Sequence, residues 1–259
     1  LEVLMNLRTI TKNLAFCKKD IAQFNPDVII YIDYPGFNMR IAKWAHQEGY
    51  KNHYYISPQI WAWKEGRIKA IKQDVDAMYV ILPFEKQFYE EKHNFPVHFV
   101  GHPLIDEISA RTPVIPENFR KEHQLDERPI IALLPGSRKQ EIQKMLEIML
   151  SVTPDFPDYQ FVIAGAPSQD LDFYEPFLKK NRVHIVMNQT YNLLDVAHAA
   201  LVTSGTATLE TALFKVPEVV CYKGGRISYE IAKRVINLDY ISLVNLIMDR
   251  EVVKELIQT

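Results

Sequence analysis

From Val28 to Tyr222 short apolar runs of strand character alternate with segments of helical periodicity, a pattern that predicts βαβ units and a parallel sheet. The predicted strands fall into two groups. The first holds Val28–Ile32, His53–Ile56, Ala77–Leu82 and Val97–Gly101; the second holds Ile130–Leu134, Gln160–Ala164, Val183–Val186, Ala200–Thr203 and Glu218–Tyr222. Between them lies Ile105–Arg128, Pro-containing and charge-rich, with two short helical segments and no strand signal. The expected organisation is an α/β domain over 1–110, a linker over 111–128 and a second α/β domain over 129–259. Two such halves usually hold ligands between them at the carboxyl ends of their strands, so the residues just after each strand matter most.

The amino-terminal segment carries an apolar stripe at alternating steps of four and three: Val3, Leu7, Ile10, Leu14, Cys17, Ile21 and Phe24. Leu1, Leu4 and Met5 broaden it, and Arg8, Lys12, Lys18 and Lys19 add positive charge. Such a helix packs on its own sheet or lies at a lipid interface, and the pattern is the same for both. Val252–Gln258 also reads as helical. A chain that opens at Leu1 inside one helix and ends inside another is expected to be a piece of a longer protein.

Composition narrows the class. With 47% hydrophobic and 24% charged residues the chain is globular, and a net charge of −2 gives no global basic field for nucleic acid. Cys17 and Cys221 form no CxxC pair and fit packed thiols in a reducing compartment. No apolar stretch approaches the roughly 18 residues of a membrane span, and no leader precedes a cleavage site.

Two loops carry candidate chemistry. Leu133–Glu141, LLPGSRKQE, follows a strand and precedes a helix, which puts Gly136 and Ser137 where free N–H groups favour an anion, with Arg138 to add a full charge. A phosphate or pyrophosphate suits it, as does a plain turn capped by Ser137. Thr203–Glu210, TSGTATLE, repeats the arrangement: Ser204, Gly205 and Thr206 form a second nest, and Glu210 projects one helical turn later, where a carboxylate can accept ribose hydroxyls. In the first half Asp33 ends a strand before the Pro35-Gly36 turn and a helix starting near Asn38; it is a turn former or a general base. Trp61 and Trp63 read as core and rim, or as lining for a sugar or acyl surface. No P-loop, GxGxxG, HExxH or GxSxG occurs, and the triplets Asp74-Val75-Asp76 and Asp170-Leu171-Asp172 are assigned no metal.

Seven ordered blocks, IDYPGFN, YISPQIWAWKEGRI, LPFEKQFY, FVGHPLIDE, LLPGSRKQEI, SGTATLETAL and ISLVNLI, run from residue 32 to 247 and together resemble the lipid-A-disaccharide synthases, bacterial glycosyltransferases of the GT-B architecture. The resemblance implies two Rossmann-like domains with a cleft between them. It implies inverting transfer of diacylglucosamine from UDP-2,3-diacylglucosamine to 2,3-diacylglucosamine 1-phosphate, with release of UDP and no cofactor. It sets Asp33 as base on the acceptor 6-hydroxyl and Arg138 on the UDP pyrophosphate. Gly136, Ser137, Ser204, Gly205, Thr206, Glu210 and Asn245 fall on the nucleotide side, and Asn38, Trp61, Trp63 and His102 on the acceptor or lipid side. It adds weight to an inner-membrane surface contact through Leu1–Phe24 and to a peripheral, cytoplasmic location. The family's Gly-rich amino-terminal block and a segment beyond Thr259 are absent, and Val244 stands where the family more often has Pro. The competing enzyme class is a UDP-N-acetylglucosamine 2-epimerase; the competing non-enzyme class is a UDP-binding remnant.

Overall fold

The computed structural model describes residues 7–181, 183–224 and 239–258, so Leu1, Val3, Leu4 and Met5 of the amino-terminal stripe lie outside the described residues. The chain divides into two compact units, one running to Pro103 and the other starting at Leu104.

The first unit begins with helix α1 (Leu7–Phe24) and continues with β1 (Ile29–Ile32), α2 (Pro35–Gln47), β2 (Asn52–Tyr55), α3 (Ile68–Asp74), β3 (Ala77–Val80), α4 (Pro83–Gln87) and β4 (His98–Phe99). The strands form one parallel sheet in the order β1-β2-β3-β4. Its core gathers Tyr31, Ile41, Tyr54, Ile71, Met78 and Tyr89. Of the α1 stripe, Leu14, Cys17 and Ile21 pack against this core, whereas Phe24 is 80% exposed. The helix therefore spends most of its apolar face on its own unit. Helix α2 starts at Pro35 rather than near Asn38, because proline at the first helical position gives up an N–H that has no intrahelical acceptor anyway.

The second unit runs α5 (Pro103–Ser109), α6 (Pro116–Glu122), β5 (Ile130–Leu134), α7 (Lys139–Ser151), β6 (Gln160–Gly165), α8 (Leu171–Lys180), β7 (His184–Met187), α9 (Thr190–Val196), β8 (Ala199–Thr203), α10 (Thr206–Leu213), β9 (Glu218–Tyr222), α11 (Leu243–Met248) and β10 (Lys254–Ile257). All six strands are parallel, in the order β10-β9-β8-β5-β6-β7. The chain walks outward from β5 to β7, then returns to place β8 on the other side of β5. That reversal is a topological switch point, where the loops leaving β5 and β8 turn to opposite faces and leave a crevice. Apolar cores lie on both faces: Ile130, Ala132, Leu193 and Val202 belong to one, Leu133, Ile142, Leu146 and Ile163 to the other.

The predicted helix at Val252–Gln258 is instead an edge strand. The apolar pairs Val252-Val253 and Leu256-Ile257 fit a helical stripe, but Lys254–Ile257 pairs in register with Val219–Tyr222 and satisfies the backbone of β9. Tertiary pairing overrides local periodicity there.

Candidate functional site

A cavity of about 510 Å³ opens in the switch-point crevice of the second unit, lined by Gly136, Ser137, Arg138 and Glu141 from the β5 loop, Ala166 and Pro167 after β6, Thr190, and Thr203 to Ala207 with Glu210 from the β8 loop and α10. Both loops singled out from the sequence thus meet in one pocket. The backbone geometry explains the residue types. Gly136 sits at φ +106, and a Cβ there would fall 2.3 Å from Glu141 Oε2, so no other residue fits without displacing that side chain. Helix α7 takes Arg138, not Ser137, as its N-cap, and Arg138 uses no side-chain cap bond. Its guanidinium makes no ion pair among the described residues. The Ser137 N–H donates to Glu141 Oε2 at 3.2 Å, so the first nest already holds a carboxylate. Any anion entering this nest would have to displace Glu141 from that N–H.

In the second nest the Ser204 hydroxyl donates to Ile241 O at 2.9 Å, and the Thr208 hydroxyl donates back to Gly205 O at 2.9 Å. These bonds fix the loop and leave the Gly205, Thr206 and Ala207 N–H groups without an acceptor among the described residues. Free N–H groups at the start of an eight-residue helix favour an anion. Glu210 lines the same cavity, and burial holds its carboxyl above the ordinary carboxylate range. Sequence reasoning missed Thr203, Glu141, Thr190 and the Ala166-Pro167 turn. Thr203 is buried, and its hydroxyl has no hydrogen-bond partner among the described residues. Its position as the last residue of a strand was the available signal.

Asn245 is not part of this lining. It is 0% exposed, and its side chain is consumed by donation to Val253 O and Glu255 Oε1 and by acceptance from Val252 N and Val253 N. It holds the approach to β10.

In the first unit the carboxyl end of the sheet concentrates backbone strain. Asp33 (φ +44), Tyr34 (φ +48) and Ile56 (φ +62) all adopt the left-handed region, which costs non-glycine residues energy and is found preferentially at functional sites. Asp33 is pinned by its backbone: its N–H donates to Tyr55 O at 3.0 Å, and its carbonyl accepts from Asn38 Nδ2 and the Tyr54 hydroxyl, each at 2.7 Å. Its carboxylate is exposed and makes no bond to another described residue. Asn38 therefore acts on the Asp33 turn.

The tryptophan loop is anchored by a residue the sequence reading passed over. Glu85 is buried and accepts four bonds, from the Ser57 hydroxyl (2.6 Å), Trp61 Nε1 (3.1 Å), Ile81 N (3.1 Å) and Leu82 N (2.8 Å). Trp61 is half-buried, edge-on to Phe84, while Trp63 is 43% exposed. His102 follows β4 and is half-buried, and that burial lowers its pKa. Among the described residues no cluster of His, Cys, Asp and Glu has the geometry of a metal site, and no helix is long and apolar enough to cross a membrane.

Two parallel α/β sheets, the second with a pocket at its switch point whose free N–H groups favour an anion, fit the class of GT-B glycosyltransferases and the epimerases that share their fold. Solved structures agree. The chain superposes with a TM-score of 0.63 on Staphylococcus aureus MnaA bound to UDP (11% identity, 93% of this chain and 71% of that one). For Neisseria meningitidis UDP-GlcNAc 2-epimerase bound to UDP-GlcNAc the score is 0.62 (15% identity, 93% and 71%). For Acinetobacter baumannii MurG it is 0.51 (10% identity, 96% and 64%). Within this class, sequence singles out one family: the lipid-A-disaccharide synthetase family matches residues 1–259. The Coxiella burnetii lipid-A-disaccharide synthase is 42% identical over 264 residues, covering 100% of this chain and 69% of that protein. The Syntrophus aciditrophicus enzyme is 40% identical, covering 99% and 68%. The chain belongs to the lipid-A-disaccharide synthase family, a glycosyltransferase family of lipid A biosynthesis, and spans about two thirds of the length of these relatives.

Proposed function

We propose that the protein transfers 2,3-diacylglucosamine from its UDP donor to 2,3-diacylglucosamine 1-phosphate with inversion. The acceptor 6-hydroxyl oxygen forms the new bond to the anomeric carbon, its proton passes to Asp33, and the bond to the UDP oxygen breaks with both electrons leaving on UDP. The charge that develops there is met by Arg138 and by the N–H groups at the start of α10, dipoles set in place before the reaction. Glu210 accepts the ribose hydroxyls. The observation that carries this reading is the convergence of Gly136, Ser137, Arg138, Ser204, Gly205, Thr206 and Glu210 in one cavity of a family glycosyltransferase. Exposed Phe16 and Phe24 and the basic residues of α1 support contact with the inner-membrane surface where acylated substrates reside.

The test is mass-spectrometric product analysis of the full-length protein with the two lipid substrates and, separately, with UDP-N-acetylglucosamine. Disaccharide phosphate and UDP are expected, with Asp33→Asn lowering turnover about 10²- to 10⁴-fold and Arg138→Ala raising the donor KM. Isomerised UDP-N-acetylglucosamine, or Asp33→Asn at full rate, would overturn the assignment.

A further inference from the structure

Beyond the nucleotide pocket and the candidate base, the first unit carries a cationic cluster without a structural use. Lys64 Nζ lies 4.2 Å and Arg67 Cζ 5.5 Å from the Trp63 ring centroid. Neither cation has an acidic partner among the described residues. The carboxylate beside them in sequence, Glu65, is already taken by Lys92 Nζ at 2.8 Å and His93 Nε2 at 2.9 Å, and these partners hold its pKa below the ordinary range. Backbone geometry brings the two cations to one ring: Lys64 is left-handed at φ +58, and the Arg67 N–H donates to Lys64 O at 3.0 Å to close the turn around Gly66. Holding a lysine in that conformation costs energy that its own contacts do not explain.

Tyr54 links the Asp33 turn electrostatically to Arg67. The buried Tyr54 hydroxyl, whose pKa is raised first by desolvation and then by the Asp33 charge, feels the opposing charge of Arg67. Tyr54 donates to Asp33 O at 2.7 Å, so one hydroxyl lies in the field of both the proposed base and the guanidinium.

We propose that Lys64 and Arg67, gathered on the exposed Trp63 ring, are the subsite that reads the phosphate monoester of the acylated acceptor sugar. The inference rests on the acceptor reading given above. Its chemistry is direct: a dianionic phosphate takes charge-assisted bonds from a guanidinium fork and an ammonium. Their stacking on Trp63 restricts both long side chains beforehand, which lowers the ordering cost of binding. The ring itself, 43% exposed, offers an apolar flank to an amphiphilic ligand. The cluster would orient the acceptor by the one group that distinguishes it chemically from an unphosphorylated diacylglucosamine.

Steady-state kinetics of the full-length enzyme with 2,3-diacylglucosamine 1-phosphate and with 2,3-diacylglucosamine lacking the phosphate provide the test. For Arg67→Ala and Lys64→Ala/Arg67→Ala the acceptor KM is expected to rise about ten- to hundredfold, the magnitude of one or two charge-assisted hydrogen bonds. The donor KM stays constant, showing a folded chain, and the preference for the phosphorylated acceptor collapses. Arg67→Lys restores part of it. A second arm measures binding to phosphatidylethanolamine/phosphatidylglycerol vesicles. Weaker vesicle binding with an unchanged acceptor preference would overturn the proposal in favour of a bilayer contact. Wild-type turnover with an undiminished preference in both variants would overturn this inference alone. Absence of disaccharide from wild type would take the functional reading down with it.

Discussion

Replacing Glu218 by glutamine should stabilise the second unit, and by more as the pH rises. Glu218 opens strand β9, is only 8% exposed, and neither carboxyl oxygen has a hydrogen-bond partner among the described residues. It borders a cavity of about 240 Å³ whose other walls are Ile131, Val152, Phe156, Phe161, Ala199, Ala200, Leu201, Pro217 and Val219, none of which titrates. Desolvation alone, with no compensating cation, pushes the carboxyl up to about 8 from 4.5. Below the unfolded value both states hold the proton and the group contributes nothing. Between pH 4.5 and 8 the folded protein keeps the proton while the unfolded chain releases it, so stability falls by about 1.4 kcal/mol per pH unit. Above about 8 the full penalty is present.

Glutamine has the same shape and no titration, so the difference between variant and wild type isolates this one group. From pH 5 to pH 7 that difference should grow in favour of Glu218→Gln by about 3 kcal/mol. Urea unfolding followed by far-UV circular dichroism at several pH values measures it, with the unfolding slope checked for constancy between the two proteins. A stability difference that stays flat from pH 5 to 8 would refute the argument, because it would mean that the folded state ionises Glu218 as readily as the unfolded chain does.

Two further substitutions test scaffolding rather than ionisation. Glu85→Ala strands a buried hydroxyl, an indole N–H and two backbone N–H groups at once; a loss of at least about 3 kcal/mol is expected, with Trp61 fluorescence shifted to the red as its ring is released, and an unchanged unfolding midpoint would count against the anchoring role. Asn245→Ala should cost about 2 kcal/mol and speed hydrogen exchange in β10 while UDP affinity, measured by calorimetry, holds; exchange rates matching wild type would deny Asn245 its hold on that strand.

Most of the nine strands before residue 223 were legible because buried parallel strands read as short continuous apolar runs bounded by turns; β1 and β4 were legible from Ile30, Ile32 and Phe99 although these side chains are exposed. The two nests were legible for a related reason: they are built from backbone, and backbone nests require glycine and small hydroxyl residues at fixed places after a strand. What stayed hidden depended on partners distant in sequence. Glu85 joins Ser57 and Trp61, 28 and 24 residues earlier, to its own turn, and nothing in LPFEKQFY announces a fourfold acceptor. The structural role of Asn245 depends on Glu255 and on the strand status of Lys254–Ile257, and that segment looked helical until its pairing with β9 was known. Glu141 closes the LLPGSRKQE block, but its seat over Gly136 follows only from the φ of +106.

The same contrast separates the two candidate sites. On the proposed reading, the second unit would hold phosphate with N–H groups that any sequence of suitable shape supplies, and would leave selectivity to Arg138 and Glu210. In the first unit the backbone supplies strain instead: Asp33, Tyr34 and Ile56 are held left-handed just after strand ends, and Lys64 in the loop that follows β2. Strain of this kind persists where surrounding bonds over-determine it: Asn38 and Tyr54 pin the Asp33 carbonyl, and Glu85 anchors the loop after Ile56 through Ser57 and Trp61. On the proposals made for this unit, that strain holds an exposed carboxylate and two cations ready for a ligand, and relaxing it by Asn38→Ala should lower turnover without changing UDP affinity.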